Sequence, residues 1–171
     1  MEVPTLTTER LTLRGWREDD LDAYAAIVAD PEVMRFMGGP LASGDAWRQI
    51  ALFVGHWELR GHGFWVVERD GTMLGRVGLW RPHGWPGLEV GWLLAREAWG
   101  HGYATEAARA SVEHAWRTFD VERLVSLIAQ DNHASARVAR RIGMQPVGEW
   151  VIRHEPVVIH ALARPGAAAP R

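Results

Sequence analysis

The stretch AWGHGYATEA, residues 98–107, puts Gly100 and Gly102 immediately before Ala104-Thr105-Glu106-Ala107, which has the composition of a helix start. Glycines at such a place have two readings. One is a tight strand-to-helix turn. The other is an anion cradle, because missing side chains let a ligand approach the backbone and a helix N-terminus presents N–H groups without partners.

Downstream of Gly102 the pattern has period 3.6, with Ala104, Ala107, Ala108, Ser111, Val112, Ala115, Trp116 and Phe119 along one stripe. RLVSLIA then reads as a buried strand, Asn132 to Ile142 as a second helix closed by Gly143, and MQPVGEWVI and PVVIHALA as two further strands. Upstream, LEVGWLL (88–94) is a strand. Before it FWVVER, the turn Asp70-Gly71 and MLGRVGLWR form an antiparallel pair. Residues 43–60 read as a helix with Trp47, Ile50, Ala51, Val54 and Trp57 on its apolar face. LTLRGWR (11–17) is a strand, and Glu18-Asp19-Asp20 place negative charge at the start of the helix LDAYAAIVAD. Four strands thus precede the glycine turn, and the order β-α-α-β-β-β-α-β-α-β-β predicts an α+β fold with a mixed sheet and helices packed on it.

The length of 171 residues fits one domain, expected over 1–164, with PGAAAPR (165–171) as a disordered tail. A net charge of −2 gives no general affinity for nucleic acid or an anionic membrane. All 19 cationic residues are arginine, which excludes a lysine Schiff base, and the absence of cysteine excludes disulfides, thiolate metal sites and a cysteine nucleophile. The eight histidines show no H-E-x-x-H spacing, so no metal is expected. No apolar leader or 18-residue apolar run occurs, and a cytoplasmic location is the expectation. Ten tryptophans suit a core and equally the walls of a pocket.

Four segments together carry a resemblance: TERLTLRGWREDD, DPEVMRFMGG, LEVGWLLAREAWGHGYATEA and NHASARVARRIGM. In that order and spacing the chain resembles the GNAT superfamily of acetyl-CoA-dependent N-acetyltransferases, most closely its RimJ/RimL-type branch. The superfamily signature Q/R-x-x-G-x-G/A aligns with Trp99-Gly100-His101-Gly102-Tyr103-Ala104, where tryptophan takes the first position. The resemblance implies a mostly antiparallel sheet splayed at the acetyl-CoA site. It implies that Trp99 through Thr105 (Trp99, Gly100, His101, Gly102, Tyr103, Ala104, Thr105) hold the CoA pyrophosphate, with the His101 side chain toward solvent. It further implies that the backbone of Trp92, Leu93 and Leu94 pairs with the pantetheine arm, one N–H polarising the thioester carbonyl.

Transfer to an amine needs a base for the ammonium and an acid for the departing thiolate. Glu89 is the only carboxylate in the apolar strand LEVGWLL, where burial would raise its pKa into a base's range. By resemblance, Asn132 contacts the pantetheine or nearby backbone and Ser135 is the candidate acid. Ala139 stands where many relatives have a tyrosine. Plain N-capping is the alternative for Asn132. Arg141, with Arg137 and Arg140 beside it, is a candidate for the CoA phosphates or merely part of a solvated basic face. The acceptor groove is expected from Phe36 and Met37, from Trp47 and Trp57, and from Trp80, His83 and Trp85 near Glu89. The acceptor itself would be a small amine or a protein N-terminus, met by a monomer or homodimer. Two rivals stand beside this reading. A Rossmann dinucleotide site conflicts with the antiparallel strands before the turn and with Thr105 in place of the third glycine. A module that binds acyl-CoA or another small ligand without turnover would have no need of Glu89 or Ser135.

Overall fold

The computed structural model describes residues 2–152 and 154–166, so the tail expected at 165–171 lies outside the described residues from 167 onward. Eight strands are described: β1 (Leu6–Thr7), β2 (Thr12–Arg14), β3 (Phe64–Arg69), β4 (Thr72–Trp80), β5 (Leu88–Leu94), β6 (Arg123–Ala129), β7 (Gln145–Ile152) and β8 (Glu155–Ala163). The helices are α1 (Leu21–Ala29), α2 (Ser43–Arg60), α3 (Tyr103–Thr118) and α4 (His133–Arg141). The strands form one sheet in the order β1-β2-β3-β4-β5-β6-β8-β7. Every neighbouring pair is antiparallel except β5 with β6. That topology removes the Rossmann alternative, which needs a parallel sheet with the glycine turn after its first strand.

The sheet separates two cores. On one face α1 and α2 pack Tyr24, Ile27, Val28, Phe53 and Met34 of the intervening turn against Phe64 and Leu93. On the other, α3 and α4 pack Ala107, Ala108, Val112, Ala115 and Ala139 against Val77, Leu79, Val90 and Leu124. Alternation along each strand produces both cores from the same sequence.

Three expectations are corrected. β1 was not foreseen, because two residues carry no periodic signal, and five strands rather than four precede the glycine turn. Helix α2 has the expected limits but a different buried face: Ala46, Phe53, His56 and Trp57 are buried, while Trp47 and Val54 are 56% and 48% exposed. The two stripes lie about one residue apart around the helix, and only the partner surface decides between them. Glu18–Asp20 form a 3₁₀ turn, and Asp20 is buried in an ion pair with Arg14 at 2.7 Å instead of serving the α1 dipole. Arg14 also pairs with Glu68 at 2.7 Å, and its bond to Asp20 raises its pKa further despite burial.

At the end of α2, His56 Nδ1 lies 2.7 Å from the His62 carbonyl, and the His56 ring stacks on Trp80 at 4.2 Å between centroids. Burial pushes both histidines down, His62 to about 4, so both are neutral at physiological pH. They tie α2 to the β3–β4 layer beneath the candidate site.

Backbones approach closely at Gly78, where a Cβ would lie 2.3 Å from the Gly63 carbonyl oxygen. Gly78→Ala should therefore lower the stability to urea by about 3 kcal/mol. Gly55→Ala on α2, where a Cβ meets nothing within 4 Å, should leave stability unchanged or raise it by about 0.5–1 kcal/mol.

Candidate active site

β5 and β6 have seven residues each yet share only the pairs Leu88↔Leu124 and Glu89↔Val125. Beyond them the strands part. At the vertex, side chains take over the backbone's role. Ser126 Oγ donates to the Val90 carbonyl at 2.6 Å, and the Leu127 N–H donates to Glu89 Oε1 at 3.4 Å. Further along, the Leu94 carbonyl accepts from the Trp99 indole at 2.9 Å. The Leu93 carbonyl turns the other way, to β4, where it would lie 2.2 Å from a Cβ on Gly75. Period-two alternation between Val90 and Leu94 then points the N–H and C=O of Trp92 into the split, with no strand opposite. Of Trp92, Leu93 and Leu94, Trp92 thus offers its whole backbone there.

Glu89 stands at the vertex on the α1/α2 face, in register with Trp80. A Cβ on Gly91 would lie 3.0 Å from the Phe64 ring and 3.9 Å from Glu89 Oε1, so this glycine makes room for the Phe64 ring beside the carboxyl. Burial is the main influence on the carboxyl. It outweighs the Trp85 indole, the Leu127 N–H and the Arg76 charge, all of which favour ionisation, and pushes the pKa up to about 7. Trp85 Nε1 donates to Glu89 Oε2 at 2.6 Å, delivered by a turn in which the Trp85 N–H meets the Pro82 carbonyl. This indole holds the carboxyl, a role that its expected place in the groove wall did not suggest.

The other face of β5 carries the second chemical group. Trp92 Nε1 donates to Ser135 Oγ at 3.2 Å, leaving the hydroxyl proton free. The Ser135 N–H is capped by Asn132 Oδ1 at 3.1 Å, so Asn132 is the N-cap of α4. Glu89 and Ser135 therefore face opposite sides of one strand, with the split between β5 and β6 running between them.

The glycine turn lies at the far end of β5. Gly100 and Gly102 have φ of +79° and +83°, a left-handed conformation that side chains disfavour. Gly102 is the N-cap of α3, which has no side-chain cap, and Thr105 Oγ1 in its first turn is buried without a partner. An uncapped helix start beside an orphaned buried hydroxyl is what a phosphate would satisfy. Arg141 lines the same depression of about 610 Å³ as Gly102, Thr105, Arg10 and Arg109; Arg137 and Arg140 are not in its wall. Trp99 is 46% exposed, Ala104 half-buried, and His101 exposed with its ring stacked on buried Tyr103.

Sequence reasoning assigned no role to Arg10, Glu106 or Ser126. Arg10 donates to the His101 carbonyl at 3.0 Å, lies over the Tyr103 ring, and is gripped by Glu106 at 2.6 Å. Thr8 Oγ1 donates to the same carboxylate, and Arg69 to the Tyr103 hydroxyl. Nothing local signals these contacts, of which those of Thr8 and Arg10 span more than 90 residues. Ser126 had a signal: it is the lone hydroxyl in the apolar strand RLVSLIA.

Of the other groove candidates, Trp80 is packed between His56 and Phe64, and Trp57 is buried with its indole on the Phe64 carbonyl at 3.0 Å. Trp57 is thus a core residue. Phe36 is 37% exposed beside Met37, His83 and Trp47 are exposed, and the Phe36 ring lies under Arg35. None of these joins Glu89 through a side-chain hydrogen bond or ring contact among the described residues.

The acetyltransferase (GNAT) domain family matches residues 10–145. Over 168 residues the chain is 31% identical to the Bacillus subtilis protein YkkB, covering 91% of this chain and 93% of that one. It is 28% identical over 145 residues to the B. subtilis N-acetyltransferase YnaD, covering 84% of each. The crystal structure of an acetyltransferase from Agrobacterium tumefaciens superposes with a TM-score of 0.85 at 33% identity, covering 96% of both chains. The fold is thus that of an acyl-group transferase. The chain belongs to the GNAT family and is an acetyl-CoA-dependent acetyltransferase. RimL, a ribosomal L7/L12 alpha-N-protein acetyltransferase, shares the fold at 18% identity, with a TM-score of 0.76 and coverage of 94% of this chain and 98% of that one in its coenzyme A complex. Among the described residues no helix is long and apolar enough to cross a membrane, and no histidine–carboxylate cluster suits a metal.

A carboxyl with a folded pKa of about 7 against the ordinary 4.5 destabilises the fold once it ionises. The folded state holds the extra proton, so stability is lost as pH rises from the unfolded pKa through the folded one. Glu89→Gln should accordingly be more stable than wild type at pH 8, by up to about 3 kcal/mol, and equal to it at pH 4. Urea unfolding at the two pH values checks this.

Proposed function

We propose that this acetyltransferase transfers the acetyl group of acetyl-CoA to a primary amine, by direct attack in a ternary complex, as in the RimJ/RimL-type branch. The amine would be a protein N-terminus or a small molecule. One observation carries the reading: a carboxyl poised near neutrality stands at the vertex where β5 and β6 part.

When bound, acetyl-CoA would supply an activated acetyl thioester. The uncapped start of α3, the Thr105 hydroxyl, Arg141 and the backbone of residues 100–105 would hold its phosphates. The pantetheine arm would run along the free edge of β5, meeting the Trp92 N–H and C=O. That N–H is also a fixed donor for developing charge on an oxygen in the split. Glu89, ionised, takes the proton of the acceptor ammonium directly or through water, with Trp85 keeping its orientation. Ser135, whose oxygen accepts from Trp92, has its own proton free for a leaving thiolate. Asn132 fixes the start of the helix that carries this serine.

Calorimetric titration with acetyl-CoA and CoA-release assays over a panel of amines test the proposal against a binding module without turnover. Gly102→Val should abolish acetyl-CoA binding in a folded protein. Glu89→Gln should lower kcat about 100-fold or more, and Ser135→Ala should lower kcat with little change in acetyl-CoA affinity. Binding without turnover on any amine would favour the module. The rate should fall on the acid side with a pKa of about 7. In Trp85→Phe, which lacks a donor to the ionised carboxyl, that limb should move to higher pH, about one unit.

A further inference from the structure

Among the described residues two arginines are buried, and their surroundings differ. Arg14, 9% exposed, has carboxylates of Asp20 and Glu68 at 2.7 Å. Arg76, 5% exposed, has no carboxylate within ion-pair distance among the described residues. Its guanidinium lies over the Phe64 ring at 4.1 Å and the Phe53 ring at 4.9 Å, and its Nε donates to the Tyr24 hydroxyl at 3.2 Å. Tyr24 passes its own proton on to Gln49 Oε1 at 2.7 Å. The two terminal nitrogens of Arg76 have no acceptor among the described residues. Yet among the described residues the only fully buried side-chain polar atoms without partners are Thr105 Oγ1 and His160 Nδ1. With 5% of the residue exposed, the free end of the guanidinium is therefore not wholly sealed from solvent.

Its position ties that end to the chemistry. Arg76 is in register with Leu93, four residues along β5 from Glu89 and on the same sheet face. Between them lie the paired Gly78 and Gly91, and the buried Phe64 ring packs against Gly91, 3.0 Å from where its Cβ would lie, and against the guanidinium, so one ring borders both groups. Arg76 is also the one cation whose charge acts on the Glu89 carboxyl. A desolvated guanidinium without a counterion is unfavourable, and its planar fork is made for a carboxylate. We propose that Arg76 is an anion-binding group of the acceptor site, so that the preferred acceptors carry a carboxylate on the same molecule as the amine offered to Glu89. Four residues of strand span about 13 Å. The carboxylate therefore stands beyond the α-carbon that bears the amine, as on an acidic side chain of a peptide's first residues or at the far end of an ω-amino acid.

This rests on the amine-acceptor reading, and its test separates the two. Steady-state CoA release is measured with paired acceptors: short peptides with Asp or Glu at the second position against their Asn or Gln counterparts, and ω-amino acids against their amides. Each pair is run on wild type, Arg76→Gln and Arg76→Lys, with binding to the acetyl-CoA complex followed in parallel by calorimetry. Wild type should favour the acidic member by about tenfold or more in kcat/KM. Arg76→Gln should erase the preference through KM, and Arg76→Lys should retain part of it. The peptide pairs and the ω-amino acid pairs report which source the site accepts. Turnover with no acid preference in wild type, or the same preference in Arg76→Gln, overturns the proposal and leaves the amine-acceptor reading intact. Arg76-dependent binding of acidic acceptors without turnover sustains the proposal and defeats catalysis. If Arg76→Gln does not fold, the wild-type acid-to-amide ratio decides, a ratio near one overturning the proposal.

Discussion

The arrangement of this protein depends on the place where β5 and β6 stop pairing. Two parallel strands of seven residues should share most of their length, and these share two residue pairs. An unpaired strand interior leaves backbone groups without partners, which is unfavourable unless something else satisfies them. Here Ser126 takes the Val90 carbonyl, Glu89 takes the Leu127 N–H, and Trp99 takes the Leu94 carbonyl. The remaining edge, at Trp92, has no strand opposite. One opening in the sheet thereby lies between Glu89 on one face and Ser135 on the other, and in the proposed reaction it is what would let a single molecule meet both.

Much of this was legible in the sequence, and the limits of legibility are physical. Period and turn chemistry located α2, β3, β5 and β6 closely, because those signals are local. The glycines before α3 were legible for the same reason: positive φ restricts residue type. Adjacency was not. Nothing in LEVGWLL says that its neighbour is RLVSLIA or that their pairing ends after Glu89. The buried face of α2 was misread because two apolar stripes compete on that helix and only the sheet chooses. Glu89 stood out as a carboxylate in an apolar strand. Trp85, which orients it, looked like pocket wall because an indole N–H has no visible partner until the loop folds.

That point extends to the tryptophans as a group. Ten in one chain suggested walls for a ligand, yet six use the indole N–H as a strut. Trp16 and Trp57 both donate to the Phe64 carbonyl, Trp65 to Pro4, Trp99 to Leu94, Trp92 to Ser135 and Trp85 to Glu89. The last three lie along the split, and their chemistry fits the place. An indole is a donor that is never charged. An arginine at the position of Trp85 would orient the Glu89 carboxyl equally well, but its charge would hold the carboxylate ionised far below neutrality and make it a weak base. A neutral donor orients the carboxyl and lets burial set its affinity for protons. Arg76, whose charge does act on Glu89, stands farther off with the Phe64 ring between them, so its influence is a correction to burial and not a replacement for it.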